Sequence, residues 1–188
     1  MAKVYGIQKR LEKNNVDGGL VKEIIGNGDL INAIEKMEKL LEPEMMHEIL
    51  DSCACKGSKE FIKQCEKIGK ELAGKTLSEK IEYVNSISDT EKIFLNADNT
   101  LTVRWSHVDN RRFRCVCSTV VHKGTQISEL ALEDSNRVMP LSHCYCCAGS
   151  GRRHMQLQLE VELKTKEIIS TPISSRGEKP CEFIFEII

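Results

Sequence analysis

The hydrophobic period of this chain changes near residue 88, and that change limits its fold more than any other feature. Before it, apolar residues recur at three- and four-residue steps, as on one face of a helix. Leu30, Ile31, Ile34, Met37, Leu40 and Leu41 form one such stripe, which Pro43 ends. Pro43 in turn opens a second stripe of Met45, Met46, Ile49 and Leu50, since proline suits the first helical turn. Phe61, Ile62, Cys65, Ile68 and Leu72 make a third. Thr76 stands three residues before Glu79, the spacing at which the two side chains satisfy orphan amides at a helix start.

Beyond residue 90 the residues favour strands. The runs IFL and TLTVRW flank Asn96-Ala97-Asp98-Asn99, a hairpin turn by composition, and "RRFRCVCSTVV" predicts a further strand. Residues 123–143 read as a loop or short helix. "CCAGSGRRHMQLQLEV" predicts a helix once past its glycines, and "LKTKEIISTPIS" and "PCEFIFEII" predict two strands joined by a turn over residues 174–180. Helices followed by strands imply an α+β fold: a helical part over residues 1–90 packed with a C-terminal antiparallel sheet in an α+β part over residues 91–188. At 188 residues the two parts are expected to share one core.

Charge narrows the partners. Lys plus Arg number 27 against 28 Asp plus Glu, so no global field draws the chain to nucleic acid or to an anionic membrane. The N-terminal residues carry Lys3, Lys9, Arg10 and Lys13 without the apolar run of a signal peptide, and no stretch is long and apolar enough to span a bilayer. The expectation is a cytoplasmic protein whose partner is a small molecule.

For that compartment nine cysteines are many, and an odd number cannot pair completely within one chain. Seven are grouped: Cys53 and Cys55, Cys115 and Cys117, and Cys144, Cys146 and Cys147. Cys65 and Cys181 stand alone at apolar positions and read as core. Close thiol pairs suit a soft metal, because they lower the entropic cost of gathering ligands. The expected metal set is Cys115, Cys117, Cys144, Cys146 and Cys147, extended by Cys53 and Cys55, with zinc as the metal and an iron-sulfur cluster as the alternative. Cys144 and Cys147 share a face of a helical turn. Cys115 and Cys117 on a regular strand would point to opposite faces, so joint ligation needs a turn or bulge there.

The same atoms also suit nucleophilic chemistry. Arg111, Arg112 and Arg114 precede Cys115, and Arg152, Arg153 and His154 follow Cys147. Positive charge and a helix N-terminus both favour a thiolate. Cys144 and Cys146 are then candidate catalytic residues, with His143 or His122 as base. On this alternative the chain is a hydrolase of a C–N bond in a small heterocycle or amide. Use of Cys144 and Cys147 as a redox dithiol is a third reading. His47, His107 and Trp105 read as surface or core residues.

Residues 140–188 carry "CYCCAGS", "ELKTKEIISTPIS", "RGEKP" and "CEFIFEI" in that order: a C-x-C with a following glycine, a helix, a strand, a Gly turn, then Cys-x-Phe. This segment resembles the L-2-amino-thiazoline-4-carboxylic acid hydrolase-like proteins and, more remotely, 4-vinyl-reductase-type ligand-binding domains. The resemblance implies helices packed on an antiparallel sheet with a small-molecule pocket between them. It puts Cys144, Cys146 and Gly149 in the C-x-C-x-x-G motif and Cys181 in the Cys-x-Phe position. The chain departs from that pattern at Cys147, where many such proteins carry a small residue, and in "SGRRHMQLQLE", where they carry an aromatic-rich helix.

Overall fold

The computed structural model describes residues 4–115 and 139–188. Six helices come first: α1 (Val4–Lys13), α2 (Gly18–Ile25), α3 (Leu30–Leu40), α4 (Pro43–Ser52), α5 (Lys59–Glu71) and α6 (Leu77–Ile87). Their starts follow local chemistry. Asp17 accepts from the Gly19 and Leu20 amides, Asp29 from Asn32 N, and Ser58 from Phe61 N, each satisfying an amide that the first turn leaves without a partner. Thr76 and Glu79 form the reciprocal box that their spacing predicts.

Strands β1 (Glu91–Leu95) and β2 (Thr100–Trp105) make the expected hairpin, closed by Asn96 N donating to Thr100 O at 2.9 Å, with Asn99 left-handed at φ 59°. A two-stranded hairpin follows, β3 (Val108–Asp109) and β4 (Arg112–Phe113). Then come a short 3-10 turn (Leu141–Cys144), α7 (Tyr145–Leu159), β5 (Leu163–Ser170) and β6 (Cys181–Ile187). The main sheet has the order β1-β2-β6-β5 with every pairing antiparallel. Helices first and an antiparallel sheet at the end make this an α+β protein.

Register aligns the core. Ile93 faces Val103, which faces Phe183, and Leu101 faces Phe185; all five are buried beneath the helices. On the opposite face of the sheet, Arg104 pairs with Glu182 at 2.7 Å. This is the period-two alternation of a sheet with one covered face.

Two sequence expectations are revised. The strand expected over "RRFRCVCSTVV" is limited, among the described residues, to Arg112–Phe113, because Asn110 and Arg111 both adopt positive φ (47° and 67°) and turn the chain back onto β3. Cys117 and His122 lie outside the described residues. Nor does α7 wait for its glycines to pass: it begins at Tyr145 and runs through both. A Cβ on Gly149 would lie 2.6 Å from Asp51 O, and one on Gly151 would lie 2.5 Å from Trp105 Cζ2. These glycines permit close packing of α4 and of the β2 tryptophan against α7.

Helix α7 packs on α4, α5 and α6 as well as on β5. At its middle Arg152 donates to Asp51 from Nη2 at 2.6 Å and from Nε at 3.4 Å, and Thr165 Oγ1 donates to the same carboxylate at 2.8 Å. Both members of the pair are largely buried, at 21% and 16% side-chain exposure, and together they tie α4, α7 and β5 to one another. Removing one partner of such a pair strands the other charge away from water. Asp51→Ala is expected to lower stability by about 3 kcal/mol, measured by urea unfolding at neutral pH; a loss too small to resolve would show that Arg152 finds water or another acceptor instead.

Candidate functional site

Below the N-terminal half of α7 lies a cleft of about 390 Å³, lined by Cys55, Phe61, Ser88, Thr90, Glu91, Trp105, His107, Cys146, Cys147, Ser150 and His154. Its roof follows from helical geometry. Cys147, Ser150 and His154 stand at i, i+3 and i+7, and Cys146 at i−4 from Ser150, so one stripe of α7 faces the cavity. The loop after α4 supplies Cys55, α5 supplies Phe61, the junction of α6 with β1 supplies Ser88, Thr90 and Glu91, and the end of β2 supplies Trp105 and His107. Glu91 and Trp105 are directly paired across β1 and β2, and Trp105 Nε1 donates to Glu91 Oε1 at 2.8 Å. The indole lies on Gly151 and meets Phe183 edge-on at 5.2 Å. Phe61 meets the His154 ring edge-on at 4.6 Å.

The electrostatics are set by burial. It pushes the Glu91 carboxyl above its ordinary range, opposed by the tryptophan hydrogen bond. His154 is pulled below the ordinary histidine value, mainly by burial; a hydrogen bond with the Lys56 backbone opposes this and the charge of Arg153 adds to it. Because His154 Nε2 is buried with no hydrogen-bond partner, the Lys56 bond falls to Nδ1, which leaves Nε2 with a lone pair in the neutral ring. His107 is lowered by burial as well.

The predicted site residues separate. Cys146 and Cys147 line the cleft, joined by Cys55; Cys146 is nearly closed off, its thiol donating to Cys53 O at 3.5 Å. Cys53 is buried at the end of α4, its thiol pushed up by desolvation. Cys144, His143 and Cys115 are buried and do not line the cleft. Cys65 and Cys181 are buried, as their apolar positions imply, and burial together with the charge of Glu91 pushes Cys65 up to about 11. Among the described residues no group of three or more Cys, His, Asp or Glu could hold a metal ion. The expected cluster is therefore not assembled from Cys53, Cys55, Cys115, Cys144, Cys146 and Cys147, and the zinc and iron-sulfur expectations gain no support from these donors.

The arginines also have other employment. Arg152 is committed to Asp51, and Arg153 reaches Ala54 O at 3.4 Å. Arg153 also lines a second, more open groove of about 640 Å³ along α5 and the end of α7, with Lys56, Ile62, Gln156, Leu157, Glu160, Val161 and Glu162. No thiol or imidazole is among those residues, so the chemistry sits in the smaller cleft. Glu91, Phe61, Ser150 and the site roles of Trp105 and His107 escape a reading of the sequence, since nothing local marks them; they meet only through strand register and helix packing.

Comparison with known proteins adds little to this geometry. No protein family matches the chain, and no curated protein matches it. A crystal structure of an H-NOX protein from S. oneidensis in the Fe(II)NO ligation state aligns over 98% of this chain and 97% of that one, at 10% identity and a TM-score of 0.35. A likeness at that level carries no argument about ligand or cofactor. The resemblance of residues 140–188 to the thiazoline-carboxylate hydrolase-like proteins therefore rests on its motifs alone. No helix among the described residues is long and apolar enough to cross a membrane.

Two measurements probe this arrangement. Iodoacetamide reacts with thiolate, so half-buried Cys55 is expected to be alkylated well before Cys53 and Cys65, whose burial disfavours ionisation; peptide mass spectrometry showing Cys65 modified first would contradict the placement. His154 has a folded pKa below its unfolded value near 6.5, so the unfolded state takes up a proton that the folded state resists. Its contribution is present above that value and is lost as pH falls through it toward the depressed folded pKa. His154→Gln is expected to flatten the fall in stability between about pH 7 and pH 5, and an unchanged slope in denaturant melts would mean the ring is not desolvated.

Proposed function

We propose that this chain is a small-molecule binding module, of the sensing or carrier kind, whose ligand occupies the cleft between α5, α7 and the β1–β2 end of the sheet. One observation carries the reading: side chains from five separate segments converge on one cavity and bring thiols, imidazoles, a half-buried carboxyl and two aromatic rings to it. Its volume falls in the range of small-ligand sites, where apolar walls supply affinity and a few polar groups fix orientation.

The hydrolase alternative is less well supported. His154 Nε2 has no hydrogen-bond partner, so no thiol is paired with it, and His143 and Cys144 are buried outside the cleft. Binding asks less of these groups than catalysis does, because it needs no relay of protons. A metal-loaded form would need a ligand set that the described residues do not bring together.

The test uses the single tryptophan, which lines the cleft. Aromatic fragments screened against the full chain are expected to give saturable changes in Trp105 fluorescence, and Ser150→Phe, which fills the cleft from its roof, is expected to abolish them while the protein still melts cooperatively. Fragments binding Ser150→Phe as well as the parent would place the ligand elsewhere. Elemental mass spectrometry on protein purified without chelator is expected to find well under one zinc or iron per chain; a stoichiometric metal would favour the metal site over this reading.

A further inference from the structure

One carboxyl stands among the groups that line the cleft, beside hydroxyls, thiols and imidazoles that can donate or accept. One oxygen of Glu91 holds the Trp105 bond while no described residue donates to Oε2, and the His154 Nε2 lone pair is closed off beside Gly57. No Lys or Arg stands among the described residues that line the cavity. Lys56, next to Cys55 in the chain, lines the second groove instead, and several cations of the sheet and helices are engaged elsewhere. Lys92 donates to Asn85 O and Ser88 O, Arg104 pairs with Glu182, Arg152 pairs with Asp51, and Arg153 reaches Ala54 O. The half-buried carboxylate thus faces the cavity without a countercharge among the described residues. Trp105 and Phe61 stand on its walls, and their ring faces attract cations.

Resting on the small-ligand reading above, we propose that the cleft takes a small organic cation, an amine or amidine carried on an aromatic or short apolar body. The cationic head lies against Glu91, and the body lies among Trp105, Phe61 and the cysteines. The thiols of Cys55, Cys146 and Cys147 make a soft, weakly hydrogen-bonding lining that suits the apolar part of such a molecule. An anionic ligand would meet Glu91 with no described cation to hold it. A carboxylate-bearing substrate, as the thiazoline-carboxylate resemblance implies, therefore fits this cavity poorly.

The probes are three isosteres of different charge: benzamidine, benzamide and benzoate, titrated into the full chain while Trp105 fluorescence is followed, with free N-acetyltryptophanamide as the quenching control. Benzamidine is expected to saturate at a Kd at least about tenfold below that of benzamide, the worth of a charge-assisted hydrogen bond, with benzoate giving no saturable change. Glu91→Gln keeps an acceptor for Trp105 and removes the charge; it is expected to melt no lower than the parent and to erase the preference for benzamidine. Benzoate binding as tightly as benzamidine, equal affinity for benzamide, or a preference that survives in Glu91→Gln would each overturn the cationic assignment while leaving the cleft a ligand site. Failure of all three probes to perturb Trp105 would overturn both.

Discussion

The close approach of α7 to its neighbours is the constraint on which the rest of the structure depends. Gly149 lets the backbone of α4 come near enough for Asp51 to reach Arg152 and Thr165 together, and Gly151 lets the Trp105 indole approach the helix closely. A side chain at Gly149 would push α7 off α4, and one at Gly151 would push it off the Trp105 ring, shifts that a close-packed core resists. Because α7 is held on both flanks, its third face, bearing Cys146, Cys147, Ser150 and His154, is presented to a cavity that has room for a guest.

That arrangement turns what resembled one thiol cluster into two populations. Thiols directed into the core, Cys53, Cys65 and Cys144 among them, behave as small apolar groups, and burial opposes their ionisation where its effect is resolved. Those facing the cleft lie beside imidazoles and a carboxyl, where they can touch a ligand. Adjacency in sequence does not separate the two groups. Cys144 and Cys146 are two residues apart, yet Cys144 ends the 3-10 turn and is buried away from the cleft, while Cys146 lies in the first turn of α7 and lines it.

Charge is divided in the same way. The arginines around "CYCC" suggest a positive setting for a thiolate, but Arg152 is spent on a structural ion pair and Arg153 on a backbone carbonyl beside the second groove. What faces the cleft is a half-buried carboxyl and histidines whose burial disfavours their charged form, the reverse of the field that the linear arrangement implies. The ligand preference inferred for the site follows from that reversal.

Much of the architecture was legible in residue order. The apolar stripes of α3 to α5, the Thr76–Glu79 cap, the Asn-rich turn between β1 and β2 and the paired C-terminal strands are decided within a few residues of one another, by backbone geometry and local hydrogen bonding, so they can be read without knowing the fold. The site was legible only in part. Cys146 and Cys147 stand out by composition, but the Glu91–Trp105 pair is made by strand register, Cys55 is carried in by the loop after α4, and His154 acquires its desolvated ring from packing against α5. Whether a polar group is buried, neutral or available depends on neighbours distant in the chain. The sequence alone therefore determined the elements and their order, while the tertiary structure alone decided which thiols and which charge meet in the cleft.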